Sequence, residues 1–313
     1  MKTSLKQLAV RLKPYLRWII VGGTLFFLAK ALKDHWQEIV AIRISETGWA
    51  YLGAALGVTL LAHIWSGWVW GWIIREFDQP VGSLWSIRVY LTTNIAKYLP
   101  GNVWHFYGRI RSAQAVGIPL EVATLSVLLE PLLMAAAALA IALVSNPQAN
   151  LGIQIPILVA VLLGVHPRVL NPLLGYVGKL KGKAKKAVPE QVRPIRVRRY
   201  PFLPFLGELG FLGLRGCGFL LVMLALGPIA PTQILLLVSA FSLAWLLGLV
   251  IPGAPGGIGV FEATAIALLD GQFSPAIVLG AVALYRLIST LAEAGGAGLA
   301  WLGVGLGNSL NRS

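Results

Sequence analysis

The stretch NIAKYLPGNVWHFYGR, residues 94–109, decides how the rest of the chain is read. It sets Lys97, His105 and Arg109 around a helix-breaking Pro100-Gly101, within 313 residues that are 57% hydrophobic and only 12% charged, with a mean hydropathy of +0.76. That balance is far from a soluble domain's and marks an integral membrane protein. The apolar runs reach the roughly 20 residues that a helix needs to cross the hydrocarbon, without the ten-residue alternation of a membrane barrel. The expected fold class is an all-α polytopic membrane protein, one integral membrane domain over 1–313.

Outward from residues 94–109, the apolar segment 84–99 is too short to cross comfortably and stops at Pro100-Gly101. Residues 102–117 continue to a second turn at Gly117-Ile118-Pro119. Two half-length helices joined by Pro-Gly predict a re-entrant hairpin. It lies between a span at about 49–74, whose Trp65, Trp68, Trp70 and Trp72 suit an interfacial belt, and a span at about 120–144. The second half repeats the plan: a span at about 205–226, a leg at 233–251, a break at PGAPGG (252–257), a leg at 258–269 and a last span at about 276–304. A first span at about 17–32 and a recrossing at about 153–165 complete about six full spans plus two re-entrant hairpins. With the hairpins entered from opposite faces, 49–144 and 205–304 form an inverted repeat, the architecture in which transporters place discontinuous helices around a midplane site.

The formal charge of +14 is concentrated. Ten of the 26 basic residues fall between Arg168 and Arg199, and five more (Lys2, Lys6, Arg11, Lys13, Arg17) precede the first span. The positive-inside bias makes 166–204 a cytoplasmic loop, puts both termini in the cytoplasm and fits a multi-pass protein of the plasma (inner) membrane. No aromatic residue interleaves the basic run before Tyr200, so a nucleic-acid partner is not expected. Cys217 is the one cysteine, which excludes an intrachain disulfide and a cysteine metal cluster. The first apolar segment ends in small residues at Ala29 and Ala31, as a cleavable signal does, but is expected to stay as an anchor.

At each break proline removes an amide donor and glycine permits unusual backbone angles, so the restarted helix presents unpaired N–H groups at membrane depth. Such groups, with the helix dipole behind them, attract anions. The glycines of GAPGGIGVFE taken alone are better explained by tight hairpin packing. The charges add weight. His105 and Arg109 share a face one turn apart, Glu130 lies in the next span and Glu262 on the restarted leg of the second hairpin. Glu208 and Arg215 sit seven residues apart on one face, as do Arg286 and Glu293; for each pair a structural ion pair or a side chain snorkelling to an interface stands level with a functional role. Each such charge costs about 2.5–3.5 kcal/mol at the bilayer centre, so a group of them implies a polar cavity. Excess positive charge on Lys97, Arg109 and Arg286 suits a phosphate. His63, Arg88, Trp104, Phe106 and Tyr107 read as packing or interfacial residues. No HExxH, acidic metal motif or nucleophile with a partner base is present, so neither a metal, a cofactor nor a catalytic residue is expected.

With KYLPGNVWHFYGR, IPGAPGGIGVFEA and the later ALYRL, the sequence resembles, over almost its whole length, the transmembrane (flippase) region of the lysylphosphatidylglycerol synthase and multiple peptide resistance factor family. The resemblance implies a stand-alone lipid-translocating domain with re-entrant helices. It points to Lys97, Pro100, Gly101, Arg109, Glu130, Pro252, Gly256, Gly257, Glu262 and Arg286; Asn102 and His105 join them as neighbours of the first break. No aminoacyltransferase domain follows Ser313 in this sequence, so lysyl transfer is not expected. The expected function is transport of an anionic phospholipid or polyprenyl phosphate, its headgroup held between the hairpins. The alternatives are a membrane-embedded enzyme acting on a lipid phosphate and an assembly partner of a lipid-modifying glycosyltransferase. Expected partners are the membrane lipid itself, with a lipid-modifying enzyme and a second copy of the chain as further candidates.

Overall fold

The computed structural model describes residue 30 and residues 33–99, 103–145, 150–172, 197–251, 257 and 259–310, with side chains as far as 302. Every regular element among them is helical. A short α1 (Trp36–Ala41) leads to α2 (Glu46–Arg75), which starts where Ser45 Oγ accepts from the Gly48 amide at 3.1 Å. Next come α3 (Ser83–Asn94), tightened at its end into a 3-10 turn (Ile95–Tyr98), and α4 (Trp104–Ala115). Gly117, at φ +88°, closes α4, and the Ile118 amide reaches back to the Ala113 carbonyl at 3.1 Å. Beyond Pro119 run α5 (Leu120–Val144), α6 (Leu151–Gly164), α7 (Phe202–Leu226), α8 (Pro231–Val250), α9 (Val260–Leu269) and α10 (Pro275–Leu310).

Five of these helices are long and apolar enough to cross a bilayer: Glu46–Arg75, Leu120–Val144, Phe202–Leu226, Pro231–Val250 and Pro275–Leu302. The chain is thus an all-α protein of membrane-spanning character. This tally differs from the six full spans expected. The first expected span lies almost wholly outside the described residues, and α6, at 14 residues, falls short of a crossing unaided. Conversely α8, read in sequence as half of a hairpin, runs unbroken for 20 residues, because no proline or glycine pair interrupts it before position 252.

The packing carries an internal correspondence. If α2, α3, α4 and α5 are exchanged with α7, α8, α9 and α10, each packed pair among them maps onto another packed pair. Thus α3 lies against α10 as α8 lies against α5, α4 against α5 as α9 against α10, and α2 meets its own counterpart α7 most extensively. The cores follow suit. One gathers Trp70, Ile73, Leu129, Leu133 and Phe211; the other gathers Phe219, Phe241, Phe261 and Tyr285, and both draw on α2 and α7. The central pair is also tied by Trp65 Nε1, which donates to the Gly207 carbonyl at 2.8 Å.

Close helix approach depends on missing side chains. A Cβ on Gly67 would lie 2.8 Å from the Ile87 Cα, so α2 and α3 touch backbone to backbone. At the second break Gly257 has φ +72°, and a Cβ there would lie 3.0 Å from the Gly248 Cα. Glycine is required at 257 both by the backbone angle and by the α8 backbone it abuts.

Candidate functional site

Three sets of charged side chains sit in this apolar bundle. In the first set, α4 turns Arg109 inward until it is 2% exposed. Its Nη1 lies 2.5 Å from Glu130 Oε2 on α5, its Nη2 lies 3.4 Å from Asn94 Oδ1, and the guanidinium lies 3.7 Å from the centroid of the Tyr90 ring. Two buried charges thereby satisfy each other, with an aromatic face completing the contact. Glu208 on α7 is fully buried nearby, with Glu130 and Arg109 as its charged neighbours, and neither carboxyl oxygen has a hydrogen-bond partner among the described residues.

The second set bridges both halves. Lys97, in the 3-10 turn before the first break, reaches Glu293 Oε1 on α10 at 2.5 Å. The same oxygen lies 3.3 Å from His63 Nε2 on α2, and that nitrogen lies 3.5 Å from Arg215 Nη1 on α7. Arg215 Nη2 donates to Ser289 Oγ at 3.0 Å, and its guanidinium stands over the rings of Trp245 (5.0 Å) and Tyr285 (4.8 Å).

In the third set, Glu262 at the start of α9 accepts from Arg286 Nε on α10 through one oxygen and from the Gly259 amide at 2.6 Å through the other. The carboxylate therefore caps its own helix while holding a cation on the neighbour.

Of the residues singled out in the sequence, the structure joins Arg109 to Glu130 and Glu262 to Arg286, and brings Lys97 to Glu293. His105 stands apart: it is buried with its ring centroid 3.9 Å from that of Phe106, and its Nδ1 has no partner among the described residues. Gly257 lies at the α8–α9 contact. Pro100, Gly101, Asn102, Pro252 and Gly256 lie outside the described residues.

Neither seven-residue pair forms an ion pair. Arg215 turns to His63 and Ser289 instead of Glu208, and Arg286 turns to Glu262 instead of Glu293. Two helical turns separate such residues by about 10.5 Å, so sharing a face does not bring their ends together; each finds a partner on a neighbouring helix. His63, read from sequence as packing, belongs to the central cluster with Ser289, Tyr285 and Trp245. The available signal was a single imidazole in the middle of a long apolar span, which favours a buried polar role.

Where α2 ends at Arg75, that residue lines a cleft with Glu76 and Asp78, just beyond the span, and with Arg198, Arg199 and Tyr200, and Asp78 pairs with Arg198 at 3.0 Å. Partial burial pushes the Glu76 carboxyl above its ordinary range; Arg199 opposes the shift and Asp78 adds to it.

Chemically, the central cluster can bind an anion: it brings two basic side chains, a hydroxyl and an imidazole to one carboxylate. Among the described residues no three His, Cys, Asp or Glu side chains stand where they could share a metal ion. No protein-family model matches the chain, and no curated protein matches it.

Proposed function

We propose that this chain translocates an anionic lipid across the bilayer, as a relative of the flippase region that its motifs resemble. The lipid's phosphate enters the charged cluster between the two helix breaks while its acyl chains stay in the hydrocarbon. The observation that carries this reading is the Lys97–Glu293–His63–Arg215 chain, which links the end of the first hairpin's leading leg to α2, α7 and α10 inside an apolar bundle. Buried ionisable groups in a membrane bundle mark substrate or ion pathways. The exchangeable packing of α2–α5 and α7–α10 supports an inverted repeat in the plasma membrane, with α3–α4 and α8–α9 as its corresponding helical pairs. Rocking one half against the other then opens the cluster to each leaflet in turn.

The test is the leaflet distribution of phosphatidylglycerol in cells with and without the chain, read by periodate, which cleaves the glycerol headgroup and does not cross the membrane. Loss of the chain is expected to lower or raise the periodate-accessible fraction. An unchanged fraction, together with unchanged exposure of polyprenyl phosphate, counts against transport of either lipid.

A further inference from the structure

Within the three sets of buried charges, Arg109 has the carboxylate of Glu130, Lys97 that of Glu293 and Arg286 that of Glu262. Arg215 has none among the described residues, although it is only 4% exposed. A guanidinium offers five N–H donors and stays protonated in proteins. Here Nη2 serves Ser289, Nη1 makes a long contact to His63, and the Nε donor has no partner among the described residues. The two aromatic rings ease the burial of the charge but do not neutralise it.

The histidine sharpens the point. His63 Nε2 faces a donor, Arg215 Nη1, and an acceptor, Glu293 Oε1, at once. One ring nitrogen either carries a proton and donates or lacks it and accepts, so it cannot satisfy both neighbours. An anion on Arg215 resolves this conflict, because it takes over the arginine's donors and leaves Nε2–H free for Glu293. Charge counting then sets the ligand. Lys97 and Arg215 bring two positive charges and Glu293 one negative, so the cluster lacks a single negative charge. Glu208, on the same helix as Arg215, has Arg109 and Glu130 as its charged neighbours and does not fill the gap.

We infer that Arg215 is the phosphate-binding cation of a monoanionic phosphodiester lipid, with Ser289 as a second donor and His63 coupling its occupancy to the Lys97–Glu293 pair. This rests on the lipid-transport reading and names the substrate class and the residue within it. A phosphodiester carries one negative charge and matches the deficit; a phosphomonoester, which can take a second charge, matches it less well.

The experiment is calorimetric titration of the purified full chain, in detergent, with dihexanoyl phosphatidylglycerol, dihexanoyl phosphatidylcholine and inorganic phosphate, alongside thermal unfolding without ligand. Wild type is expected to bind the phosphatidylglycerol best. Arg215→Met is expected to lose binding at least tenfold while melting no lower than wild type, since it removes an uncompensated buried charge but keeps an apolar stem against Trp245 and Tyr285. His63→Gln is expected to weaken binding less. Unchanged binding in Arg215→Met overturns the inference and leaves lipid transport standing. Melting well below wild type in both Arg215→Met and Arg215→Gln makes Arg215 a structural residue and also overturns it. Tighter binding of inorganic phosphate than of the lipid assigns the site to a free anion and overturns the phosphodiester assignment. Wild type that binds none of the probes defeats the inference and, when it also moves no lipid between leaflets, the transport reading with it.

Discussion

Glu262 on α9 holds Arg286 on α10 at the position where, in the other half of the chain, Arg109 on α4 holds Glu130 on α5. In each half the second leg of a helical pair is tied to the long helix that follows it, with the signs of the charges exchanged. The two ties differ in surroundings: both members of the Arg109–Glu130 pair are buried, whereas the Arg286 side chain is about a third exposed.

That difference sets the first prediction. Arg109→Ala or Glu130→Ala strands its partner as a buried, uncompensated charge and is expected to cost about 3–5 kcal/mol. The double variant Arg109→Ala, Glu130→Ala is expected to lose clearly less than the sum of the two. Unfolding in detergent measures all three; additive losses show that the two groups do not interact.

Glu262 has two tasks, and they separate by substitution. Glu262→Gln keeps an oxygen for the Gly259 amide and loses the ion pair, while Glu262→Ala loses both. The alanine variant is expected to be less stable than the glutamine variant by about 1 kcal/mol, the usual effect of a helix cap. Hydrogen exchange is expected to quicken in the first turn of α9 only in the alanine variant.

Gly257→Ala combines a left-handed backbone angle with a Cβ pressed 3.0 Å from the Gly248 Cα, and is expected to cost more than about 1 kcal/mol. Gly213→Ala, in the interior of α7 with nothing near the added methyl, is expected to be neutral or to stabilise by up to about 1 kcal/mol. Equal melting temperatures for the two variants would contradict the proposed tight contact of α8 with α9.

Glu76 makes a pH prediction outside the spans. Because burial raises its pKa in the folded protein, the folded state holds this proton more tightly than the unfolded chain does. The resulting stabilisation is complete below the ordinary carboxylate range and is lost as pH rises through the raised value. Wild type is therefore expected to lose some thermal stability across that window, and Glu76→Gln to lose less. Parallel melting curves for the two proteins across the same pH series would show that Glu76 does not titrate in this way.

Much of the helical plan was legible in the sequence because membrane helices leave long apolar runs and their ends carry proline and glycine. Pro119 before α5, Gly117 after α4 and Gly271 with Pro275 between α9 and α10 all mark boundaries found in the structure. The partners of Arg215 and Arg286 were not legible. Side chains two turns apart on one helix share a face without touching, and the packing of α2, α7, α9 and α10 decides which groups meet. His63 was missed for the same reason: its role exists only once α7 and α10 bring Arg215 and Glu293 to it.

The central claim is that the chain carries an anionic lipid between leaflets, and the direct measurement uses pure protein in vesicles containing a trace of phosphatidylglycerol labelled with a dithionite-reducible fluorophore. In protein-free vesicles dithionite bleaches only the outer leaflet. With wild-type protein a further fraction of the label is expected to bleach over time, and with the Lys97→Ala, Arg215→Met double variant bleaching is expected to stop near the protein-free level. Bleaching at the protein-free level with wild type, for labelled phosphatidylglycerol and labelled polyprenyl phosphate alike, contradicts the account.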